Sequence, residues 1–397
     1  MTDQEKSTWI YNKTLTQKDN QHGDFLDSLK TQLSLDQKIS EVSFSTSELK
    51  SWQSKIEKRE IYYECVYYEL YDEDYWDREE GYEYNDPFGI NLSILKALQT
   101  AKEWAAAKQY QKAADLYDWL CTIPFGGFDS ERKEWLDEEL DLERLVEEQV
   151  VQVELKQIGV QLLYAHYQAL PMEKRPACFF RYLSWEMFGE IKIENVFSLE
   201  LKDVPLFIEK WIVFLRKTSG DRAGELLTEA CLFSGGINRL CEEAEKNAAM
   251  HPILFENASK FYYDNDLFLE CERIGLKAID KLAENLVVRN RIAELTIKVA
   301  LQLDHKDQIA KLYEAAFHSH STVPTYLRLF RLPDYEVVTK RAANYAKSVP
   351  NLVAIKVSNA ASQLNENGLS AENKQLIRFL IMNLYLFKAC VKETIMT

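Results

Sequence analysis

The chain has 397 residues with 48 Lys or Arg against 63 Asp or Glu, which gives a net charge of −15 at pH 7. This acidic balance disfavours direct binding to a nucleic-acid backbone. The chain has 13 Gly and 9 Pro, which are too few for a turn-rich all-β fold. The most apolar stretch, 376–391, is interrupted by Arg378, Asn383 and Lys388. The sequence therefore predicts no membrane span and no membrane partner.

The first residues and the cysteines both bear on the compartment. The chain begins with a polar stretch that has neither a basic region nor an apolar core, so we expect no secretory signal. Its seven cysteines are odd in number and widely spaced, which is typical of free thiols rather than of a disulfide framework. The sequence therefore predicts a cytoplasmic protein.

Composition and periodicity divide the sequence into three regions. Residues 1–56 are predicted to form a polar N-terminal helical segment, and 57–90 an acidic, aromatic-rich linker. Residues 91–397 are predicted to form a helical-repeat domain that ends in a capping helix at about 372–392. This last helix is apolar on most sides, and a dimer contact is the alternative interpretation of its apolar surface.

The clearest local signal is a helix start at Ser45. Ser45 is followed three residues later by Glu48, the spacing of a capping box. Phe44 and Leu49 flank this motif at the positions of a hydrophobic staple. The pattern predicts a helix from Thr46 to about Ile56.

The segment 57–86 has the most unusual composition in the chain. It combines eight tyrosines and one tryptophan with twelve acidic residues. Over the longer window 57–148, 25 Asp or Glu oppose 10 Lys or Arg, so this window carries a charge of 10 − 25 = −15. One interpretation is an irregular linker whose rings pack against the first repeat. The other is a recognition segment that binds a cationic partner through ring faces and carboxylates.

If 57–86 is a recognition segment, specific residues are candidates for contact with the partner. The spacing of apolar residues in its first part is also compatible with a helix. The candidate partner-binding residues are Tyr67, Tyr71, Asp74, Trp76, Tyr82 and Tyr84. The positions that would share a helix face are Ile61, Cys65, Tyr68 and Asp72.

Apolar residues recur with helical spacing in six segments between residues 221 and 332. Short polar turns join the segments, one of them at 234–236. Cys271, Gly275 and Ala278 match the second helix of a tetratricopeptide repeat, where small residues allow close helix contact. Helix pairs that cannot bury their apolar faces alone are typical of solenoids. The predicted fold is therefore all-α: a tetratricopeptide-like α-solenoid with a short polar N-terminal helical segment.

One cluster in the sequence has metal-ligand residue types. It joins His318 and His320 with Asp304, His305 and Asp307. Two histidines at i and i+2 point to opposite sides unless the chain is extended, and no cysteine accompanies them. We interpret the cluster as a polar loop between helices and predict no metal site.

Motifs for nucleophilic catalysis and for phosphate binding are absent from the sequence. There is no nucleophile elbow, no phosphate-binding loop and no dinucleotide fingerprint. The acidic pairs within 57–148 are interpreted as a solvated face, because surface carboxylates with ordinary pKa values do no acid–base work. The sequence predicts no cofactor and no catalytic residue.

Residues 200–332 resemble the C-terminal helical region of bacterial SWIM-type zinc-finger proteins. The resemblance lies in the order and spacing of short blocks: Leu226-Leu-Thr-Glu-Ala, Ser234-Gly-Gly-Ile, His251-Pro-Ile-Leu-Phe, Val288-Arg-Asn-Arg-Ile-Ala-Glu-Leu, Glu314-Ala-Ala-Phe and Tyr326-Leu-Arg-Leu. The family's C-x-C and C-x-H zinc motif does not occur in this chain. No functional residue of the finger is therefore carried over.

Three functional hypotheses follow. The first is a non-enzymatic scaffold that binds a protein or peptide, with an acidic surface that favours a basic partner. The second is an ancillary subunit or sensor that acts beside a nucleic-acid-handling complex of the SWIM or helicase type. The third, an enzyme, lacks any catalytic constellation in the sequence.

Overall fold

The computed structural model describes residues 43–71, 78–137 and 140–348. The chain divides into two compact units, Met1–Val204 and Pro205–Thr397, called unit 1 and unit 2 below. The described chain is mostly α-helical, as expected, but unit 1 also contains a small sheet of four strands. The expectation of an all-α fold was wrong on this point.

Unit 1 combines helices with short strands. Its elements in chain order are α1 (Thr46–Glu57), β1 (Tyr63–Tyr71), β2 (Arg78–Asn85), α2 (Ile90–Ala106), α3 (Tyr110–Thr122), β3 (Gly127–Asp129), β4 (Glu134–Trp135), α4 (Leu142–Glu147), α5 (Leu155–Ala169), α6 (Arg175–Leu183) and α7 (Ile193–Phe197). Helices α2, α3, α5 and α6 pack consecutively and form its helical core.

Helix α1 begins as its capping box predicts. The Ser45 N–H donates to Glu48 Oε2 at 2.9 Å, and the Glu48 N–H donates to Ser45 Oγ at 3.3 Å. Two of the free N–H groups at the helix start thereby gain partners. Helix α1 then buries Leu49, Trp52 and Ile56 on one face, so this local prediction is confirmed.

The sheet has the strand order β2-β1-β3-β4. Strands β1 and β2 are antiparallel, β3 runs parallel to β1, and β4 runs antiparallel to β3. The prediction of a helix face across residues 61–72 was wrong, because residues 63–71 form β1. Tyr63 and Cys65 are both fully buried, a period of two that is typical of a strand. Val66 and the many tyrosines also have high strand propensity.

Unit 2 consists of helices throughout its described part. They are α8 (Val204–Leu215), whose first residue precedes the unit boundary, α9 (Asp221–Lys246), α10 (Ile253–Asp264), α11 (Phe268–Lys281), α12 (Val287–Gln302), α13 (Lys306–Ser319), α14 (Val323–Leu329) and α15 (Tyr335–Ser348). From α9 to α13, each helix packs on the next one in the chain.

Helix α9 is broken at Gly236, whose backbone has a φ of +64° and a ψ of −159°. This conformation lies outside the regions that L-residues with a side chain readily adopt, so glycine is suited to the position. The break confirms the turn predicted at 234–236, between two helical segments. Within the described ranges, no helix combines the length and apolar character needed to cross a membrane.

Five ion pairs in the described part of unit 2 connect helices that are two apart in the chain. The pairs are Glu245–Lys277, Glu256–Arg291, Asp280–Lys311, Glu294–Arg328 and Glu314–Arg341. They join α9 to α11, α10 to α12, α11 to α13, α12 to α14 and α13 to α15. Alternate helices are therefore neighbours through most of the unit. The predicted capping helix at 372–392 lies outside the described residues.

Candidate partner-binding surface

The hairpin of β1 and β2 gathers most of the tyrosines nominated from the sequence on one face. Side chains alternate along each strand, so residues paired across the hairpin share a face. The pairs on this face are Cys65–Tyr84, Tyr67–Tyr82 and Glu69–Glu80. We call its described outer part, made of Tyr67, Glu69, Glu80, Tyr82 and Tyr84, the tyrosine face.

Rings and carboxylates alternate on the tyrosine face. The Tyr67 hydroxyl lies 2.8 Å from Glu80 Oε2 and 3.0 Å from Glu69 Oε1, so it can donate a hydrogen bond to either carboxylate. The Tyr67 and Tyr82 rings meet edge to face with centroids 5.5 Å apart, and the Tyr82 and Tyr84 rings lie 6.4 Å apart. These contacts hold three rings beside two exposed carboxylates.

A cation of the chain itself already lies on this surface. The Arg132 guanidinium lies over the Tyr67 ring, 4.7 Å from its centroid. The Asp129 carboxylate lies 3.7 Å from the Arg132 Nε atom, and its Oδ1 atom accepts hydrogen bonds from the Glu131 and Arg132 N–H groups. The face of Tyr67 is therefore a place where a guanidinium is stable.

The structure brings together only some of the nominated residues. Tyr67, Tyr82 and Tyr84 lie on the tyrosine face, and the backbone register places Tyr71 opposite Arg78 at the far end of the hairpin. Asp74 and Trp76 lie within 72–77, outside the described residues. The nomination of Tyr67, Tyr82 and Tyr84 thus identifies one continuous surface.

The opposite face of the sheet carries an aromatic cluster that the sequence analysis missed. The Tyr62 ring contacts the rings of Phe88, Phe128 and Trp135 at centroid distances of 5.1, 5.5 and 5.2 Å. Arg59 lies over the Trp135 ring at 4.9 Å, and Phe88 is 44% exposed. These residues come from four separate segments, and the pairing of β1 with β3 and of β3 with β4 helps to bring them together.

A polar network inside unit 1 has residue types found in active sites. The Tyr182 hydroxyl donates to Asp118 Oδ1 at 2.7 Å, and His166 Nε2 lies 3.0 Å from the same hydroxyl. Burial raises the pKa of Tyr182, and burial also lowers the pKa of His166. A tyrosine acting in acid–base chemistry needs a pKa closer to neutrality. This environment favours a packing role, in which the network connects helices α3, α5 and α6.

The lowered pKa of His166 predicts a loss of stability in acid. The unfolded chain takes up a proton near pH 6.5, whereas folded His166 resists protonation until lower pH, chiefly because it is buried. The unfolded state then binds more protons, so the free energy of unfolding falls as the pH drops below about 6.5, by at most about 1.4 kcal/mol per pH unit. We expect His166→Gln to reduce this slope in urea titrations between pH 7 and pH 5. An unchanged slope would contradict the assignment.

The histidines of the candidate metal cluster have other partners. His305 Nδ1 lies 2.7 Å from Glu272 Oε2, and the His318 ring stacks on the Tyr345 ring with centroids 3.9 Å apart. In the described part of the chain, no group of three or more His, Cys, Asp or Glu side chains is placed to hold a metal ion.

The described cysteines are free thiols in apolar surroundings. Burial raises the pKa of Cys65 to about 11 and the pKa values of Cys178, Cys231 and Cys271 to about 12. The protonated thiol is a poor nucleophile and a poor metal ligand. These side chains therefore act as small packing residues.

Comparison with known proteins adds no family to these observations. The chain matches none of the protein-family models, none of the curated proteins and none of the solved structures with which it was compared. The resemblance to SWIM-type proteins stays a prediction.

Proposed function

We propose that this protein is a non-enzymatic scaffold that binds a basic protein or peptide, and that the tyrosine face is its binding surface. The observation that carries the proposal is the placement of the Tyr67, Tyr82 and Tyr84 rings beside the Glu69 and Glu80 carboxylates on one face. Lys and Arg side chains are the groups that bind both to ring faces and to carboxylates.

The charge of the hairpin supports a basic partner. Residues 63–85 contain nine Asp or Glu and one Arg, a net charge of 1 − 9 = −8. Such a surface steers a cationic partner toward it and accelerates the encounter. Because the Glu69 and Glu80 carboxylates are exposed, salt screens the attraction, so affinity decreases as ionic strength rises.

Unit 2 supplies the scaffold in this proposal, as a tetratricopeptide-like α-solenoid. Ion pairs between alternate helices, such as Glu256–Arg291 and Glu294–Arg328, support it. They are the contacts expected when equivalent helices of successive repeats stack side by side. Gly275 on α11 supports it further, because an added Cβ there would collide with Thr296 on α12. This close approach matches the small-residue position of a tetratricopeptide repeat.

Binding of a short synthetic peptide of alternating Lys and Thr to the full chain tests the role of the tyrosine face. We expect Glu69→Gln combined with Glu80→Gln to weaken binding about two- to thirtyfold at low salt, because each of the two exposed charge pairs contributes about 0.2–1 kcal/mol. The amides keep hydrogen-bond acceptors for Tyr67 and remove only the charge. Isothermal titration calorimetry at low and high salt gives the affinities.

The matched control is Glu225→Gln combined with Glu242→Gln, which changes the net charge equally. Both carboxylates lie in unit 2 and are 50% and 68% exposed. We expect this variant to bind the peptide with unchanged affinity. Equal losses in the two variants would show that only total charge matters and would contradict a binding role for the tyrosine face.

The partner itself is found by affinity capture from the host at low and at high salt, followed by mass spectrometry. A basic protein that is retained at low salt, lost at high salt and lost with the Glu69 and Glu80 variant supports the scaffold. Stable co-purification with a nuclease, helicase or finger-bearing protein, independent of those two residues, would favour the ancillary-subunit hypothesis.

The free thiols are compatible with the reducing cytoplasm that we propose as the location of this protein.

A further inference from the structure

Strand β2 forms one edge of the sheet, since the order β2-β1-β3-β4 pairs it only with β1. Within residues 43–71, 78–137 and 140–348, no other strand pairs with its outer side. The edge of a sheet offers backbone N–H and C=O groups to any extended chain that approaches it. What this edge can bind therefore depends on which residues of β2 direct their backbone N–H and C=O groups outward.

The direction of the backbone N–H and C=O groups of β2 follows from a hydrogen bond that β1 makes on the side facing β3. The Tyr63 N–H donates to the Gly126 carbonyl at 3.0 Å, so the polar groups of Tyr63 point toward β3. Backbone groups alternate in direction along a strand. The N–H and C=O groups of Cys65 and Tyr67 therefore also point toward β3 and away from β2. Tyr67 pairs with Tyr82, and Cys65 pairs with Tyr84. These are non-hydrogen-bonded pairs, and the N–H and C=O groups of Tyr82 and Tyr84 point outward.

The same two residues belong to the tyrosine face. A strand added next to β2 would hydrogen-bond to the backbone of Tyr82 and Tyr84 and would place every second side chain beside their rings. Those side chains would also lie close to Glu80 on β2. The backbone edge and the acidic ring surface thus form one continuous site.

The charge of this site selects its occupant. A second copy of the chain, pairing β2 with β2, would bring acidic residues of the two edges together, and like charges across a strand pair are destabilising. An extended segment with Lys or Arg at every second position would instead place its cations beside the rings and carboxylates.

We infer that an extended basic peptide adds to the outer edge of β2 as a further strand, with its backbone paired to Tyr82 and Tyr84 and its alternate cationic side chains on the tyrosine face. The inference rests on the proposed function and specifies how the basic partner is held. Backbone pairing supplies affinity for an extended chain, and the tyrosine face supplies the preference for basic side chains.

Residue-resolved amide exchange on the full chain tests the backbone contact. With saturating peptide of alternating Lys and Thr, we expect the exchange of the Tyr82 and Tyr84 amides to slow at least about tenfold. The neighbouring Gly81 and Glu83 amides already face β1 and serve as internal controls with little change. If the Tyr82 and Tyr84 amides are already slow in the free protein, another part of the chain covers this edge and the inference is overturned.

Two N-methylated peptides test independently whether the backbone of the peptide hydrogen-bonds to β2. One carries methyl groups on the amides of its Lys residues and the other on those of its Thr residues. In a β-strand only one of these sets faces β2, so we expect one peptide to lose at least about tenfold in affinity and the other to bind as the parent does.

The outcomes separate the inference from the proposed function. If the parent peptide binds in a way that depends on salt and on Glu69 and Glu80, but both methylated peptides bind alike, strand addition is overturned and the proposed function stands. If the parent peptide does not bind at low salt, the proposed function fails and the inference fails with it.

Discussion

Replacing Arg216 with Met is expected to lower the free energy of unfolding of unit 2 by about 3–5 kcal/mol, because it leaves a buried carboxylate without its cation. The Arg216 Nε–H donates to Glu243 Oε2 at 2.8 Å, and Nη2 donates to Glu243 Oε1. The Glu243 side chain is only 3% exposed. Asn247 also donates to Glu243 Oε2, at 2.9 Å, but a neutral amide does not replace the charge.

A second ion pair, between α8 and α9, offers a matched control. Arg239 donates from both terminal nitrogens to the two Glu209 oxygens at 2.7 Å, so this pair is also joined by two hydrogen bonds. Here the carboxylate is 59% exposed, so water replaces the guanidinium when it is removed. We expect Arg239→Met to cost about 0–1 kcal/mol. Urea unfolding gives both values, and residue-resolved amide exchange assigns them to unit 2.

A second substitution separates the charge from the packing. In the Arg216→Met background, Glu243→Gln removes the buried negative charge while keeping nearly the same volume. We expect it to recover at least half of the lost stability. Equal costs for Arg216→Met and Arg239→Met, or no recovery with Glu243→Gln, would contradict the view that burial of the carboxylate determines the effect.

The features that were predicted from the sequence are local ones. A capping box involves residues three positions apart, and the break at Gly236 depends on the conformation of one residue, so both are readable without the fold. The helices of unit 2 are also local, since apolar residues with a period of 3.6 define a buried face wherever the helix packs.

The sheet could not be predicted in the same way, because the local signals of its strands are weak and the pairing of β1 with β3 is long-range. Tyr occurs on both faces of β1, so the contrast between buried and exposed positions that marks a strand is weak there. Strand β3 has three residues, Gly127–Asp129, and lies in a glycine-containing stretch, whose composition favours a turn rather than a strand. Its pairing with β1 depends on contacts more than 60 residues apart in the chain.

The candidate site also combines features that the sequence indicates with features that only strand pairing determines. Composition alone nominated Tyr67, Tyr82 and Tyr84, because rings and carboxylates occur together in that segment. The register of the hairpin then decides that these tyrosines share a face and that Tyr82 and Tyr84 direct their backbone groups outward. Composition therefore indicated the chemistry of the surface, and only the strand pairing supplies its geometry.

Removing one hydroxyl group from each of two buried tyrosines is expected to change stability in opposite directions. Tyr182 and Tyr117 are each 1% exposed. The Tyr182 hydroxyl donates to Asp118 and lies within hydrogen-bond distance of His166 Nε2. Tyr182→Phe leaves both groups short of a partner, so we expect it to lower the free energy of unfolding by about 2 kcal/mol.

The Tyr117 hydroxyl is buried without a hydrogen-bond partner among the described residues. In the unfolded chain this hydroxyl bonds to water, so folding gives up those bonds and nothing replaces them. Tyr117→Phe is therefore expected to be neutral or to stabilise by about 1 kcal/mol. Both substitutions delete the same atom from buried side chains in unit 1, so urea unfolding of the two variants compares the partners alone. If both variants lose about the same stability, the deleted volume rather than the hydrogen bonds sets the cost, and the network of Asp118, His166 and Tyr182 does not stabilise the packing of α3, α5 and α6.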